Sequence, residues 1–300
     1  MKPVQYVYPR SFILALCLTL AVIWGAGCGS GNPQPAERPV ADAGEKVIKI
    51  SGNGITKPGR MTLSQMLVLP DARYEQRYSI INTWPTKKMW VARGVKLTAV
   101  LQAAGIKEQA QMITVKGADG YQYSFTRLQL LQTRRFYFPG LMQDDPSGAQ
   151  LVEPILAYEY MENSEDLSEA RADSLCLIVP QADINEQTNQ CFVQEVQEIT
   201  ASVDDPGKWA PASVFPPAGF IAAKETVKLQ HPDLGKVKMY FTVDDSLPTT
   251  DSKVYNPSTY QPELTHPIVI NQDTTIKVLV RGFGKYDSDI AEFHYRIRPQ

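Results

Sequence analysis

Hydrophobic and polar residues alternate in short segments along most of the chain after residue 45. Alternation of this period predicts strands that bury one face, and short apolar runs bounded by turn residues predict core strands. Asp119-Gly120 is a tight-turn signal between two such segments. The strands predicted in the first part of the chain are Val47–Ile50, Met112–Val115, Tyr121–Phe125, Ile155–Met161, Leu175–Val179 and Phe192–Ile199, the last paired beside Leu175–Val179.

Other segments carry apolar residues at the three- and four-residue spacing of a helix. Thr62 is placed to cap a short helix with Leu63, Met66 and Leu67 on one face, which Pro70 stops. Residues 97–104 predict a second amphipathic helix that ends at Gly105, and Thr126 can cap a third through Leu131. Strands and short helices are thus mixed, and we expect an α+β domain over residues 45–202.

The C-terminal part carries only strand signals. Turn residues separate short β-rich segments at regular intervals, which is typical of a β-sandwich. We expect this domain over residues 211–300, after a linker at 203–210. The linker prediction rests on the four prolines of Asp204–Pro217. Its predicted strands are Thr226–Leu229, Val237–Thr242, Pro267–Ile270, Thr275–Val280 and Glu292–Ile297.

The N-terminus has the pattern of an export signal. Lys2 and Arg10 precede the apolar run 12–24, which is short for a membrane span and ends in Gly25-Ala26-Gly27-Cys28. Small residues before a cysteine resemble the lipobox of bacterial lipoproteins, although Gly25 stands where leucine is usual. The resemblance implies a signal peptide at 1–28, a lipid on Cys28, a flexible tether at 29–44 and anchoring to the bacterial cell membrane or outer membrane. Ordinary signal cleavage or a retained anchor are the alternatives.

Charge and histidine content exclude several function classes. The net charge is −2 and no basic stripe is present, so we expect no nucleic-acid partner. The pairs Lys87-Lys88 and Arg134-Arg135 are interpreted as solvated loop charge. All three histidines, at 231, 266 and 294, lie near the C-terminus. The first domain therefore has no Ser-His-Asp or Cys-His catalytic set and no histidine metal site.

Two cysteines remain beyond the signal, Cys176 and Cys191. An even pair in an exported protein favours a disulfide, which would stabilise the fold by about 3 kcal/mol through chain entropy. Two buried thiols, or a reactive pair, are the alternatives.

Five segments carry a family resemblance, namely Ile50–Pro70, Trp84–Ile106, Ile113–Phe125, Glu153–Glu162 and Ser174–Pro180. In this order they resemble the molybdopterin-binding domain of the sulfite oxidase family. The resemblance implies that fold, and a cofactor held by a cysteine just before Trp84, by histidine and by basic residues. In this chain, Ile80 lies where the ligand cysteine is expected, and Cys176 lies where an arginine is expected. The segment after the predicted strand Leu175–Val179 is QADINEQTNQ, which has no Lys or Arg. We therefore expect no cofactor, with molybdopterin as the alternative.

The segments 237–256 and 274–297 look like the chitobiase/β-hexosaminidase C-terminal-type module, a fibronectin-III-like (immunoglobulin-like) sandwich. Four tyrosines could form a stacking surface for glycans. The simpler interpretation is that Tyr240 packs in the sandwich and the other three line its loops. Three aspartates could bind a cation, but turn capping is simpler for them. These residues are Tyr240, Tyr255, Tyr260 and Tyr286, and Asp244, Asp245 and Asp251.

Three functions stay open at this point. The first is a lipid-anchored envelope protein that uses a degenerate cofactor fold for non-catalytic binding or scaffolding, with an envelope protein or cell-wall polymer as partner. The second is a molybdopterin-dependent oxidoreductase with atypical metal ligation. The third is a carbohydrate- or cell-wall-binding protein.

Overall fold

The computed structural model describes residues 45–82, Trp84, 86–255 and 268–299, apart from the side chains of residues 172 and 173. The predicted signal peptide, Cys28 and the tether lie outside these residues, as do Tyr260 and His266. Residues Ala41–Gln300 form one compact unit. This unit carries both hydrophobic cores described below, so we expect the fragment Ala41–Gln300 to fold by itself.

Strands dominate the described part of the chain, with 47% strand against 11% helix. The predicted α+β class of the first domain is therefore wrong, because its helices are only one or two turns long. The strands are β1 Val47–Ser51, β2 Gly59–Thr62, β3 Arg73–Ile81, β4 Lys87–Lys96, β5 Met112–Gly117, β6 Gln122–Thr126, β7 Arg135–Tyr137, β8 Gln150–Val152, β9 Ile155–Glu162, β10 Arg171–Ile178, β11 Val196–Ser202, β12 Ser213–Phe215, β13 Gly219–Ile221, β14 Glu225–Gln230, β15 Val237–Thr242, β16 Lys253–Val254, β17 Ile268–Ile270, β18 Thr274–Gly282 and β19 Ala291–Ile297.

The short helices lie where the sequence predicts them. Helix α1 spans Leu63–Leu67, and Thr62 forms a capping box with Gln65 at its start. Helix α2 spans Leu97–Ala103, and a π-helical turn spans Leu128–Gln132. Single 3-10 turns lie at Leu141–Gln143, Leu167–Glu169 and Asn189–Cys191. Within the described ranges, no helix has the length and apolarity needed to cross a bilayer.

Two sheets build the first domain around one core. The order in the first sheet is β2-β1-β11-β5-β6, and in the second it is β10-β9-β4-β3. Side chains of both sheets contribute to a single buried cluster that includes Ile48, Ile80, Val115 and Leu177. The predicted pairing of the 192–199 segment beside Leu175–Val179 is largely wrong. Strand β11 pairs with β1 and β5, and one bridge, Leu177–Val193, joins the preceding loop to β10.

The C-terminal part is a β-sandwich, as the strand spacing predicts. One sheet has the order β12-β14-β17 and the other β13-β19-β18-β15-β16. The core between them contains Val227, Leu229, Ile276, Val278 and Val280. Trp209 and Ala212, which precede β12, pack into the same core.

The two domains meet at the hairpin loop Phe283–Tyr286 between β18 and β19, called here the joint loop. The Phe283 ring lies 5.6 Å from the Phe125 ring and 5.9 Å from the Tyr123 ring, centroid to centroid. The Gln129 side chain binds the backbone of this loop and of Gly282, the last residue of β18. Its Nε2 donates to the carbonyl oxygens of Gly282 (2.8 Å) and Lys285 (3.0 Å), and its Oε1 accepts from the amide of Gly284 (2.9 Å).

Candidate functional site

The positions that the sulfite oxidase resemblance marks for metal binding do not come together. Ile80 is buried in β3, where it pairs with Lys88 of β4. Trp84 follows in the next turn and is 62% exposed, with its amide donating to Asn82 Oδ1 at 2.9 Å. Cys176 is buried in β10, at the other edge of the same sheet. Three strand spacings separate the two edges, which is about 14 Å.

The strand register separates Ile80 and Cys176 further. Cys176 pairs with Ala157, which pairs with Gly94, which pairs with Tyr74. Tyr74 lies six residues before Ile80, which adds about 20 Å along the strand. Cys176 therefore cannot serve as a relocated thiolate ligand beside Ile80.

The predicted Cys176–Cys191 disulfide is not formed, and both cysteines are buried thiols. The Leu177–Val193 bridge explains why, because its antiparallel register sets Cys176 opposite Gln194. Cys191 lies three positions further on, about 10 Å along the strand, which exceeds the Cα–Cα reach of a disulfide. Burial and the carboxylate of Glu186 raise the pKa of the Cys191 thiol well above its usual value, so this sulfur stays protonated.

A buried ion pair occupies the region where the resemblance places the phosphate of the cofactor. The Arg135 side chain is only 2% exposed, and its Nη1 lies 3.0 Å from Glu186 Oε2 and 2.6 Å from the carbonyl oxygen of Pro180. Its Nε and Nη2 donate to the carbonyl oxygen of Gln129 at 3.1 and 2.7 Å. The prediction that Arg134-Arg135 is solvated loop charge is wrong for Arg135.

The second basic pair is also engaged. Lys87 and Lys88 belong to β4, and each forms an ion pair, with Asp144 and Glu162 respectively. Both lysines are half-buried, so the prediction of solvated loop charge is wrong here too.

The segment 181–190 does not fit an anionic pterin phosphate. Its carboxylates, Asp183 and Glu186, would repel phosphate, and the guanidinium that reaches it from Arg135 is already bound to Glu186 and to backbone carbonyls. Gln181 holds the segment closed, since its Nε2 donates to the carbonyls of Ile184 and Glu186, both at 3.0 Å. With an aliphatic side chain at Ile80, the residues present match neither the metal nor the phosphate of molybdopterin.

The tyrosines and aspartates that the sequence suggests as glycan and cation sites make structural contacts instead. Tyr255 is buried and Tyr240 is half-buried, while the hydroxyl of Tyr286 donates to Gln111 Oε1 of the first domain at 3.3 Å. Asp244 accepts from the amide and hydroxyl of Ser246, which is turn capping. Among the described residues, no three acidic, histidine or cysteine side chains form a group that could hold a metal ion.

Asp183, in the segment 181–190, makes the stability of the fold depend on pH. Burial, and then the charge of Glu186, raise the pKa of the Asp183 carboxyl. A raised folded-state pKa means that the contribution of the group to stability is present at low pH, and is lost as the pH rises through that pKa. Asp183→Asn should therefore raise the Tm of Ala41–Gln300 at pH 7, because the amide keeps the acceptor for the Asn185 amide without the buried charge. The gain should shrink as the pH falls and vanish below about pH 4, the ordinary pKa of aspartic acid, where the side chain is protonated in both the folded and the unfolded state.

Asp166→Asn is the matched control. Hydrogen bonds from Ser168 lower the pKa of the Asp166 carboxyl, so the same substitution there should lower the Tm at neutral pH. An unchanged Tm for Asp183→Asn across this pH range would show that burial and Glu186 do not destabilise the ionised form of Asp183.

Comparison with known protein families finds a match within the second domain. Residues 227–295 match the Fn3-associated (Fn3_assoc) family. No curated protein matches the chain. Among solved structures, the sulfane dehydrogenase SoxCD of Paracoccus pantotrophus, which is sulfite oxidase-like, aligns at 13% identity and a TM-score of 0.32, covering 80% of this chain and 68% of that chain. The glycoside hydrolase domain of Endo-D from Streptococcus pneumoniae R6 aligns at 13% identity and a TM-score of 0.21, covering 75% of this chain and 33% of that one. At these TM-scores, the two likenesses are too distant to assign a function.

Proposed function

We propose that this chain is a lipid-anchored protein of the bacterial cell envelope whose first domain has a non-catalytic binding or scaffolding role. The observation that carries the proposal is that the described residues at the candidate cofactor site are unsuited to the cofactor or already bound to other groups. Ile80 and Cys176 are buried in the core at opposite edges of one sheet, and Arg135 is bound to Glu186. A chain that kept a sulfite oxidase-type fold for catalysis would need a thiolate and basic groups facing an open cleft.

Scaffolding is consistent with how the two domains are joined. The joint loop is bound through both side-chain packing and backbone hydrogen bonds, so Ala41–Gln300 presents surfaces of both domains in one fixed arrangement. Because the two domains are already held together, less conformational entropy is lost when a partner binds to both. The partner we propose is an envelope protein or a cell-wall polymer that contacts this unit beside the membrane.

The test is metal and pterin analysis of Ala41–Gln300 produced in a host supplied with molybdenum. We expect neither molybdenum nor pterin fluorescence in stoichiometric amounts, because Ile80 has no metal-binding atom and residues 181–190 include no Lys or Arg. A pterin and a metal at one equivalent per chain would overturn the non-catalytic role and leave an oxidoreductase with atypical ligation.

A second arm tests the anchor with the full chain in a bacterial host. We expect Cys28→Ser to abolish labelling by a radioactive fatty acid and to release the chain from the membrane fraction, since the thiol is the lipid acceptor. Cys17→Ser, also in the N-terminal segment, is the control and should be labelled normally. Labelling that survives Cys28→Ser would contradict the anchor without bearing on the cofactor result.

A further inference from the structure

The connection between β12 and β13 exposes a continuous apolar segment, Phe215–Phe220, called here the edge loop. Phe215 is 59% exposed and Phe220 is 63% exposed, and residues 217–219 between them are exposed as well. Between Ala210 and Ala223, Ser213 is the one residue with a polar side chain. Single exposed apolar residues are ordinary on protein surfaces, but a continuous exposed run indicates an interaction site.

The edge loop is held in a fixed shape at the rim of the sandwich. Phe215 precedes the crossing from one sheet to the other, and Phe220 follows it. Val214 and Ile221 pack into the core, so the two phenylalanines project outward from the two sheets. The Tyr295 hydroxyl donates to the carbonyl oxygen of Pro216 at 2.7 Å and ties the loop to the core. The result is an apolar ridge with an aromatic ring on each side.

Basic side chains surround this ridge. Phe215 pairs with Lys228 and Phe220 pairs with Arg296 across the strands. Two carboxylates lie among these groups, since Glu225 accepts from the Ala222 amide and Asp273 accepts from the Ile297 amide. Four cations against two carboxylates give a local charge of +2, opposite in sign to the net charge of −2 of the whole chain. The four exposed cations are Lys224, Lys228, Arg296 and Arg298.

We propose that the edge loop docks on an anionic phospholipid surface. Aromatic and apolar side chains that enter the headgroup region, flanked by cations that attract anionic lipid, are the two components of reversible interfacial binding. This inference rests on the proposed envelope location but uses residues separate from Cys28. With the chain tethered by its lipid, even weak docking would be populated, because the tether fixes a high effective concentration at the membrane.

The test is flotation of Ala41–Gln300, which lacks the signal and Cys28, with vesicles of phosphatidylcholine alone or mixed with phosphatidylglycerol. We expect binding to the mixed vesicles, weakened by added salt, and little binding to neutral ones. Phe215→Ser and Phe220→Ser should each lower partitioning about tenfold, from the loss of one ring in the headgroup region. Lys228→Gln with Arg296→Gln should remove the preference for anionic lipid.

Matched variants separate this ridge from general surface effects. Leu247→Ser removes an equally exposed apolar side chain of the same domain, and Lys57→Gln removes an exposed cation of the first domain. Both should bind as the parent does, and all variants should keep its Tm because the altered side chains are exposed. Equal binding by Phe220→Ser and Leu247→Ser, or no binding of the parent to phosphatidylglycerol vesicles, would overturn the proposal. Neither result would bear on the metal and pterin analysis or on the labelling of Cys28.

Discussion

Arg135→Met should lower the free energy of unfolding of Ala41–Gln300 by about 3–5 kcal/mol. Methionine fills much of the same volume but leaves Glu186 as a half-buried carboxylate without its cation. The carbonyl oxygens of Gln129 and Pro180 lose their donors as well. Urea denaturation measures the loss as a lower midpoint at an unchanged m-value.

The neighbouring arginine supplies the control. Arg134 is exposed, and its guanidinium lies 5.5 Å from the Phe136 ring centroid, so Arg134→Met should cost no more than about 1 kcal/mol. Combining Arg135→Met with Glu186→Gln should cost less than the sum of the two single changes, since either one already breaks the pair. Equal losses at positions 134 and 135 would show that the burial of Arg135 adds nothing to stability.

Local signals in the sequence predicted the short-range features of the fold. The helix cap at Thr62, the Asp119-Gly120 turn and the strands of the sandwich all depend on residues within a few positions of each other. These features could be inferred because the interacting groups are neighbours in the chain.

The sequence pattern does not predict strands β3 and β4, because neither has a regular alternation along its whole length. In β3, exposed and half-buried residues alternate up to Arg77 and are followed by four buried ones, while β4 is buried on both faces in its centre. Such runs are ambiguous by period alone. Without β3 and β4, the predicted helices make up a larger share of the first domain, which led to the α+β prediction.

The long-range contacts had no local signal. Arg135 meets Glu186 51 residues later, and nothing near Arg134-Arg135 distinguishes the buried arginine from the exposed one. The disulfide prediction used cysteine count and compartment, whereas the strand register decides which sulfurs can meet. In the candidate site, residue types alone were informative, because an aliphatic Ile80 lacks the donor atom in any arrangement.

Gln129→Leu should uncouple the two domains. Leucine keeps the size of the side chain but removes the three hydrogen bonds to Gly282 and the joint loop. The amide of Gly284 and the carbonyls of Gly282 and Lys285 then lack this partner. It also removes the acceptor for the Thr126 amide at the start of the π-helical turn. We expect a loss of roughly 2 kcal/mol, since unpaired groups at a partly exposed joint retain some access to water.

Calorimetry and proteolysis of Ala41–Gln300 would measure this uncoupling. The parent should unfold in one transition, whereas Gln129→Leu combined with Phe283→Ala, which removes the aromatic packing on Phe125, should unfold in two. Cleavage by a protease within the predicted linker at 203–210 should become faster in the double variant. Gln132→Leu is the control, because Gln132 is exposed on the same π-helical turn. Two transitions in the parent itself would mean that the hydrogen bonds of Gln129 do not couple the domains, and the fixed arrangement on which the scaffolding role depends would then be lost.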